Sequence, residues 1–225
     1  MHIATPINKD RLRNHLNYGL WKYALVLVLA IAGWSIVFDM TEPRSPQDKR
    51  IDVYVQANTA SSDTIDAFLA PIWHEVTPEM EEVSSVALTV IDEYTSYMQL
   101  YAYIAAGEGD IYFLNEQYFK SFAAGEAFLP LEALVADGTL DVSDVDLSKG
   151  YITLRPDEDE ERAEPETHLY GIPLDNFYGF MKGMQIDNRG LYAVVMVNNM
   201  NDENVIPFFN ALLQAGRGEK EAWID

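Results

Sequence analysis

The sequence predicts an α/β protein: one transmembrane helix, then a single doubly wound lobe built on a mainly parallel sheet. Three observations predict it. An uncharged apolar run stands near the amino terminus, strand-like and helix-like segments alternate after it, and 48% apolar residues in a 225-residue chain suffice for a core.

Composition already excludes several classes of function. The chain has no cysteine, which removes a disulfide scaffold, a thiolate zinc site and a cysteine nucleophile. Its 15 Lys+Arg against 36 Asp+Glu leave a net charge of −21. Binding nucleic acid requires basic side chains that displace counterions, so nucleic acid is not an expected partner.

The first element is the apolar run at residues 23–38 (YALVLVLAIAGWSIVF), which carries no charge and is extended by Leu20, Trp21 and Lys22. Nineteen helical residues span about 28 Å, close to the roughly 30 Å of a bilayer's hydrocarbon. Residues 20–38 are therefore expected to cross the membrane and contact its lipid, with 1–19 as a cytoplasmic segment. Lys22 can snorkel, and Trp21, Tyr23 and Trp34 suit the interface. A cleaved signal would end in small residues, whereas this run ends I-V-F-D-M-T-E-P, which favours an uncleaved anchor. A buried core helix of similar length is the second, weaker rival, because the run is apolar on every face.

Orientation rests on charge. Lys9, Arg11, Arg13 and Lys22 precede or open the run, against Arg44, Lys49 and Arg50 after it, and residues 51–225 hold 8 basic and 32 acidic residues, a net of −24. The expectation is a single-pass protein of the plasma membrane with its amino terminus cytoplasmic and its carboxyl-terminal domain extracytoplasmic. Residues 39–50, with two prolines, read as a stalk.

Residues 51–225 form the expected α/β domain. Residues 51–56 (IDVYVQ) alternate like a strand, 57–62 (ANTASS) read as a loop, and Ser62 or Asp63 can cap a helix carrying Ile65, Phe68, Leu69, Ile72, Trp73 and Val76. The order repeats. A strand at 85–91 (SVALTVI) precedes a helix capped by Thr95 and ended by Gly107 and Gly109, and a buried strand at 110–114 (DIYFL) precedes helices at 116–124 and beyond Leu129. Right-handed crossovers between such strands give a parallel sheet. The pattern fails from 137 to 165, and the acidic stretch 157–166 (DEDEERAEPE) reads as a solvated loop. It resumes at 169–174 (LYGIPL), at the strand 192–197 (YAVVMV) and in a helix from about Asp202 to Leu213.

Residues 109–138 (GDIYFLNEQYFKSFAAGEAFLPLEALVADG) resemble extracellular solute-binding proteins of bacterial ABC importers, the type 2 periplasmic-binding fold. Supporting pieces are IDVYVQ, HLYGIPLD at 168–175, and VVMVNNMNDENVIPFFNALL at 194–213, so the resemblance covers roughly 51–136 and 168–214. It implies the first lobe only: the family's second lobe would lie between the Y-G-I-P segment and the return strand, where this chain has the sixteen residues 176–191. The family's lipoprotein cysteine is missing, and the transmembrane run stands in its place.

The resemblance also implies where a ligand would touch, at the loops on the carboxyl ends of the strands. The matching positions are Asn58, Thr59 and Ser61 after the first strand, Tyr94 and Thr95 after the second, and Asn115 and Glu116 after the third. Their hydroxyls and amides suit a small polar solute such as a sugar, with Tyr94 for stacking. The same residue types also serve as helix caps and turn formers.

Other constellations are weaker. Asp137, Asp141, Asp144 and Asp146 could supply oxygens to calcium but do not follow the D-x-D-x-D-G-x5-E loop, so a solvated acidic turn is the simpler reading. His2, His15, His74 and His168 are scattered, and no H-E-x-x-H, G-x-S-x-G or Walker sequence occurs. Tyr97, Tyr101 and Tyr103 read as partly core. No cofactor and no enzymatic activity are expected. The expected function is display of a solute-binding-protein-like lobe outside the cell, binding a membrane or envelope partner protein or, weakly, a small solute. The alternatives are a transport-linked solute receptor and, from another class, a surface hydrolase using paired carboxylates.

Overall fold

The structure is a computed structural model that describes residues 9–41, 44–57, 60–89, 92–154, 165–197 and 201–219. It divides into two units, Met1–Arg44 and Ser45–Asp225. The first holds helix α1 (Lys9–Thr41). Its stretch Trp21–Phe38 has a mean hydropathy of 1.8 over 18 residues with none of it buried, long and apolar enough to cross a membrane as an anchor or a signal sequence does.

The second unit alternates strand and helix: β1 (Arg50–Gln56), α2 (Ser62–Val76), β2 (Glu82–Leu88), α3 (Glu93–Ala105), β3 (Ile111–Asn115) and α4 (Glu116–Ala123). There follow α5 (Glu132–Ala136), β4 (Tyr151–Leu154), β5 (Glu166–Leu169), β6 (Ile172–Pro173), α6 (Tyr178–Gly183), β7 (Leu191–Val195) and α7 (Asp202–Gly216). The central sheet has the order β2-β1-β3-β7-β6. β1 pairs in parallel with both β2 and β3, while β7 runs antiparallel to β3 and to β6, so four of the five strands share a direction.

The pleat divides the core cleanly. Ile51, Val53 and Val55 of β1, Ile111 and Phe113 of β3, and Leu191, Ala193 and Val195 of β7 face one cluster with α2, α6 and α7. Tyr54, Tyr112, Leu114, Tyr192 and Val194 face the other, under Leu100 of α3 and Tyr118, Phe119 and Phe122 of α4. A sheet buried on both faces explains why these strands are nearly all apolar. The chain steps from β1 out to β2 and back across β1 to β3, and two crossovers of the same hand in opposite directions put α2 and α3 on opposite faces.

Several sequence expectations are corrected. The second strand is Glu82–Leu88, three residues earlier than expected, and Thr89 leaves the ladder; residues 90–91 lie outside the described residues. Ser61, not Ser62 or Asp63, caps α2, its hydroxyl accepting from Thr64 N at 3.4 Å. Asp92, not Thr95, caps α3: its carboxylate accepts from Thr95 N at 2.9 Å, since a cap must stand three residues ahead of the amide it satisfies. The span 137–165 is less empty than it reads, because Leu140 and Val142 are core and β4 pairs antiparallel with β5. Of the acidic stretch, 157–164 lies outside the described residues, and Glu166 opens β5.

Candidate functional site

In a sheet of this order the switch point falls between β1 and β3, where successive connections leave in opposite directions and their loops part. A ligand crevice is expected outside the carboxyl ends of those two strands, at Gln56–Ala57 and Asn115–Glu116. Here the gap is bridged. Asn115 N donates to Gln56 Oε1 at 2.8 Å, tying the end of β1 to the start of α4. Beneath the bridge lies a cavity of about 10 Å³ lined by Gln56, Leu88, Thr89, Ser96, Leu100 and Tyr118 among others. That is room for the centre of one water molecule.

The predicted site residues among the described ones fall on this edge but are mostly engaged locally. Asn115 caps α4, its Oδ1 accepting from Tyr118 N at 2.9 Å. Ser61 caps α2, as above. Glu116 pairs with Lys120 at 2.5 Å, one helical turn on, and this contact draws the carboxylate below its usual range and lifts the ammonium. Tyr94 is 75% exposed on α3, beside exposed Thr95. Asn58 and Thr59 lie outside the described residues. Sequence reasoning missed Gln56: a polar residue closing the apolar run Val53–Tyr54–Val55 is the signal, since at a strand's last position it reaches the neighbouring loop.

The opposite, amino edge of the sheet is closed by a buried polar network. Arg50 Nε lies 3.0 Å from Asp52 Oδ2, Ser84 Oγ donates to Asp52 Oδ1 at 2.8 Å, and Asp52 N donates to Asp110 Oδ2 at 2.8 Å. Nearby, the Tyr112 hydroxyl donates to the Glu108 carbonyl, and burial with the surrounding acids pushes its ionisation far upward. It is a neutral donor at any ordinary pH.

The acidic turn is held by local hydrogen bonds and a guanidinium. No group of three or more His, Asp or Glu suited to a metal occurs among the described residues. Asp137, Asp141 and Asp146 accept hydrogen bonds from residues two positions on, which lower their ionisation. The positive charge they meet is a guanidinium: Arg217 lies 3.4 Å from Asp141 Oδ2 and 2.7 Å from Asp144 Oδ1. The tyrosines of α3 divide as expected. Tyr97 stacks on Phe122 at 5.3 Å and Tyr103 packs on Tyr54 at 5.1 Å, while Tyr101 is exposed.

No protein-family model matches the chain, and no curated protein matches it. Solved structures do. The chain is similar to an extracellular solute-binding protein of family 1 from Alicyclobacillus acidocaldarius subsp. acidocaldarius DSM 446, at 16% identity over 58% of this chain and 29% of that one, with a TM-score of 0.40. It is similar also to an ABC substrate-binding protein from Listeria monocytogenes in complex with cycloalternan, at 17% identity over 59% of this chain and 32% of that one, with a TM-score of 0.38. The match therefore spans less than a third of either chain's length. Both are solute-binding proteins rather than enzymes.

Proposed function

We propose that the chain is a single-pass membrane protein, amino terminus cytoplasmic, which displays its α/β lobe outside the cell to hold a membrane or envelope partner protein rather than to enclose a solute. One observation carries this reading: the switch-point crevice is spanned by the Gln56–Asn115 bond over a cavity of about 10 Å³, whereas small-molecule sites run to roughly 300 Å³ or more.

Where the resemblance would insert a second lobe, between β6 and β7, the chain is short. Between β6 and β7 stands only the short helix α6 with its turns. A solute on this edge would keep one side in water, and little binding free energy would survive its loss of motional freedom. Dissociation constants for sugars or short peptides should be no tighter than roughly 0.1 mM, about −5.5 kcal/mol.

Calorimetry on the full chain in detergent, titrated with mono- and oligosaccharides and short peptides, tests this. Near-zero heats are expected. Submicromolar binding that disappears in Asn115→Ala would replace the partner-binding reading with that of a transport-linked receptor.

A further inference from the structure

Helix α3 presents two unlike faces. Leu100 is buried, and Tyr97, Tyr103 and Ile104 pack against the core. On the far side Tyr94, Met98 and Tyr101 are 75%, 46% and 53% exposed. Their spacing of four and three residues makes a continuous apolar stripe along about two turns. The stripe lies within residues 94–107, fourteen consecutive residues without a charge in a region, 51–225, whose net charge is −24. An uncharged aromatic face on so acidic a domain calls for an occupant.

The chain's own connectivity favours one. The segment that enters the domain is tied to the end of this helix: Gln47 Nε2 donates to the Gly107 carbonyl at 2.8 Å. Only six residues, 39–44, separate Phe38, the last of the apolar span, from Ser45, the first residue of the domain. Six residues reach no more than about 25 Å even when fully extended. If the span crosses a bilayer, α3 is held within reach of that bilayer's surface. Tyrosine and methionine suit the interface, where a ring can sit among acyl chains with its hydroxyl at the headgroups.

We infer that the Tyr94–Met98–Tyr101 face of α3 docks on the lipid interface of the membrane that α1 enters, and so holds the lobe against the bilayer. The inference rests on the anchor reading of α1. The docking face has no Lys or Arg, so the attraction is apolar and needs no anionic lipid. Anionic lipid opposes it, because the domain's acids are repelled. Tyr94 then contacts headgroups and offers no stacking ring to a solute.

The test exploits the absence of cysteine. The full chain is reconstituted in phosphatidylcholine vesicles with a nitroxide at one introduced cysteine: Met98→Cys on the stripe, Ala67→Cys on exposed α2 across the sheet, or Val28→Cys within the span. Collisions with oxygen and with a water-soluble nickel chelate report depth. The Met98→Cys label is expected to be shielded from nickel and open to oxygen, the Ala67→Cys label open to nickel, and the Val28→Cys label deepest. Tyr94→Ser combined with Tyr101→Ser should return the Met98→Cys label to water, and replacing half the lipid with phosphatidylglycerol should weaken its shielding. A Met98→Cys label as open to nickel as Ala67→Cys, with Val28→Cys still in hydrocarbon, overturns the docking and leaves the anchor standing. Shielding from both quenchers overturns it in favour of a protein covering the face. A Val28→Cys label in water overturns the anchor reading and this inference with it.

Discussion

Asn115 does two jobs with one residue: its side chain satisfies the first turn of α4 and its backbone amide holds Gln56 across the switch point. Asn115→Ala removes only the first, so it should cost about 1 kcal/mol, the usual worth of a cap, read as a shift in the denaturation midpoint without loss of the fold. His168 gives the lobe a pH dependence. Its Nδ1 lies 2.9 Å from Glu132 and its Nε2 3.4 Å from Glu166, and both carboxylates raise its pKa above the usual value. A raised folded-state pKa means the folded protein holds the proton more tightly than the unfolded chain does. The resulting stability is complete below about pH 6.5 and is lost as pH rises through the folded pKa. The melting temperature should fall slightly from pH 6 to pH 8, and His168→Ala should flatten that slope. The carboxylates whose pKa is lowered, such as Asp92 and Asp141, titrate well below this window and do not confound it. At this scale the sequence was legible in kind and inexact in place. That polar residues at the strand ends would cap helices could be read from residue type; that Ser61 rather than Ser62 does so depends on where the backbone turns into the helix.

The elements most legible in the sequence are β1, read from its alternation and its β-branched and aromatic residues, and β3, whose burial on both faces leaves a short apolar run. The hairpin β4–β5 was not legible. Its strands YITL and ETHL are short and half polar, and a long acidic stretch separates them, so no local pattern announces that they pair. Nor was the reversed direction of β7, since its alternation is the same whichever way it runs and the route from β6 through α6 decides it. The segment before the hairpin is fixed by α7. Arg217 contacts Asp141 and Asp144, its Nη2 donates to the Asp141 carbonyl at 2.7 Å, and Gln214 Nε2 reaches the same carbonyl at 3.0 Å. The partner carboxylates are more than half exposed, so Arg217→Ala should cost only about 0.5–1 kcal/mol overall. Its local effect should be larger: amide exchange should quicken around Asp141 and Ser143 while β1 and β3 stay protected, and uniform exchange across the domain would contradict the clamp.

The molecule as a whole joins an apolar helix to a domain of net charge −23 whose sheet carries Asp52, Asp110 and Arg50 at one edge and the Gln56–Asn115 hydrogen bond at the other. That arrangement makes placement relative to the membrane the central claim, and single-cysteine labelling of intact cells tests it most directly. Asn17→Cys lies before the span and Ser121→Cys lies exposed on α4, in a chain with no other cysteine. A membrane-impermeant maleimide should label Ser121→Cys in intact cells and Asn17→Cys only after lysis, and both labelled chains should stay with the membranes through a carbonate wash. Labelling of Asn17→Cys from outside, or recovery of Ser121→Cys chains in the wash, would contradict it.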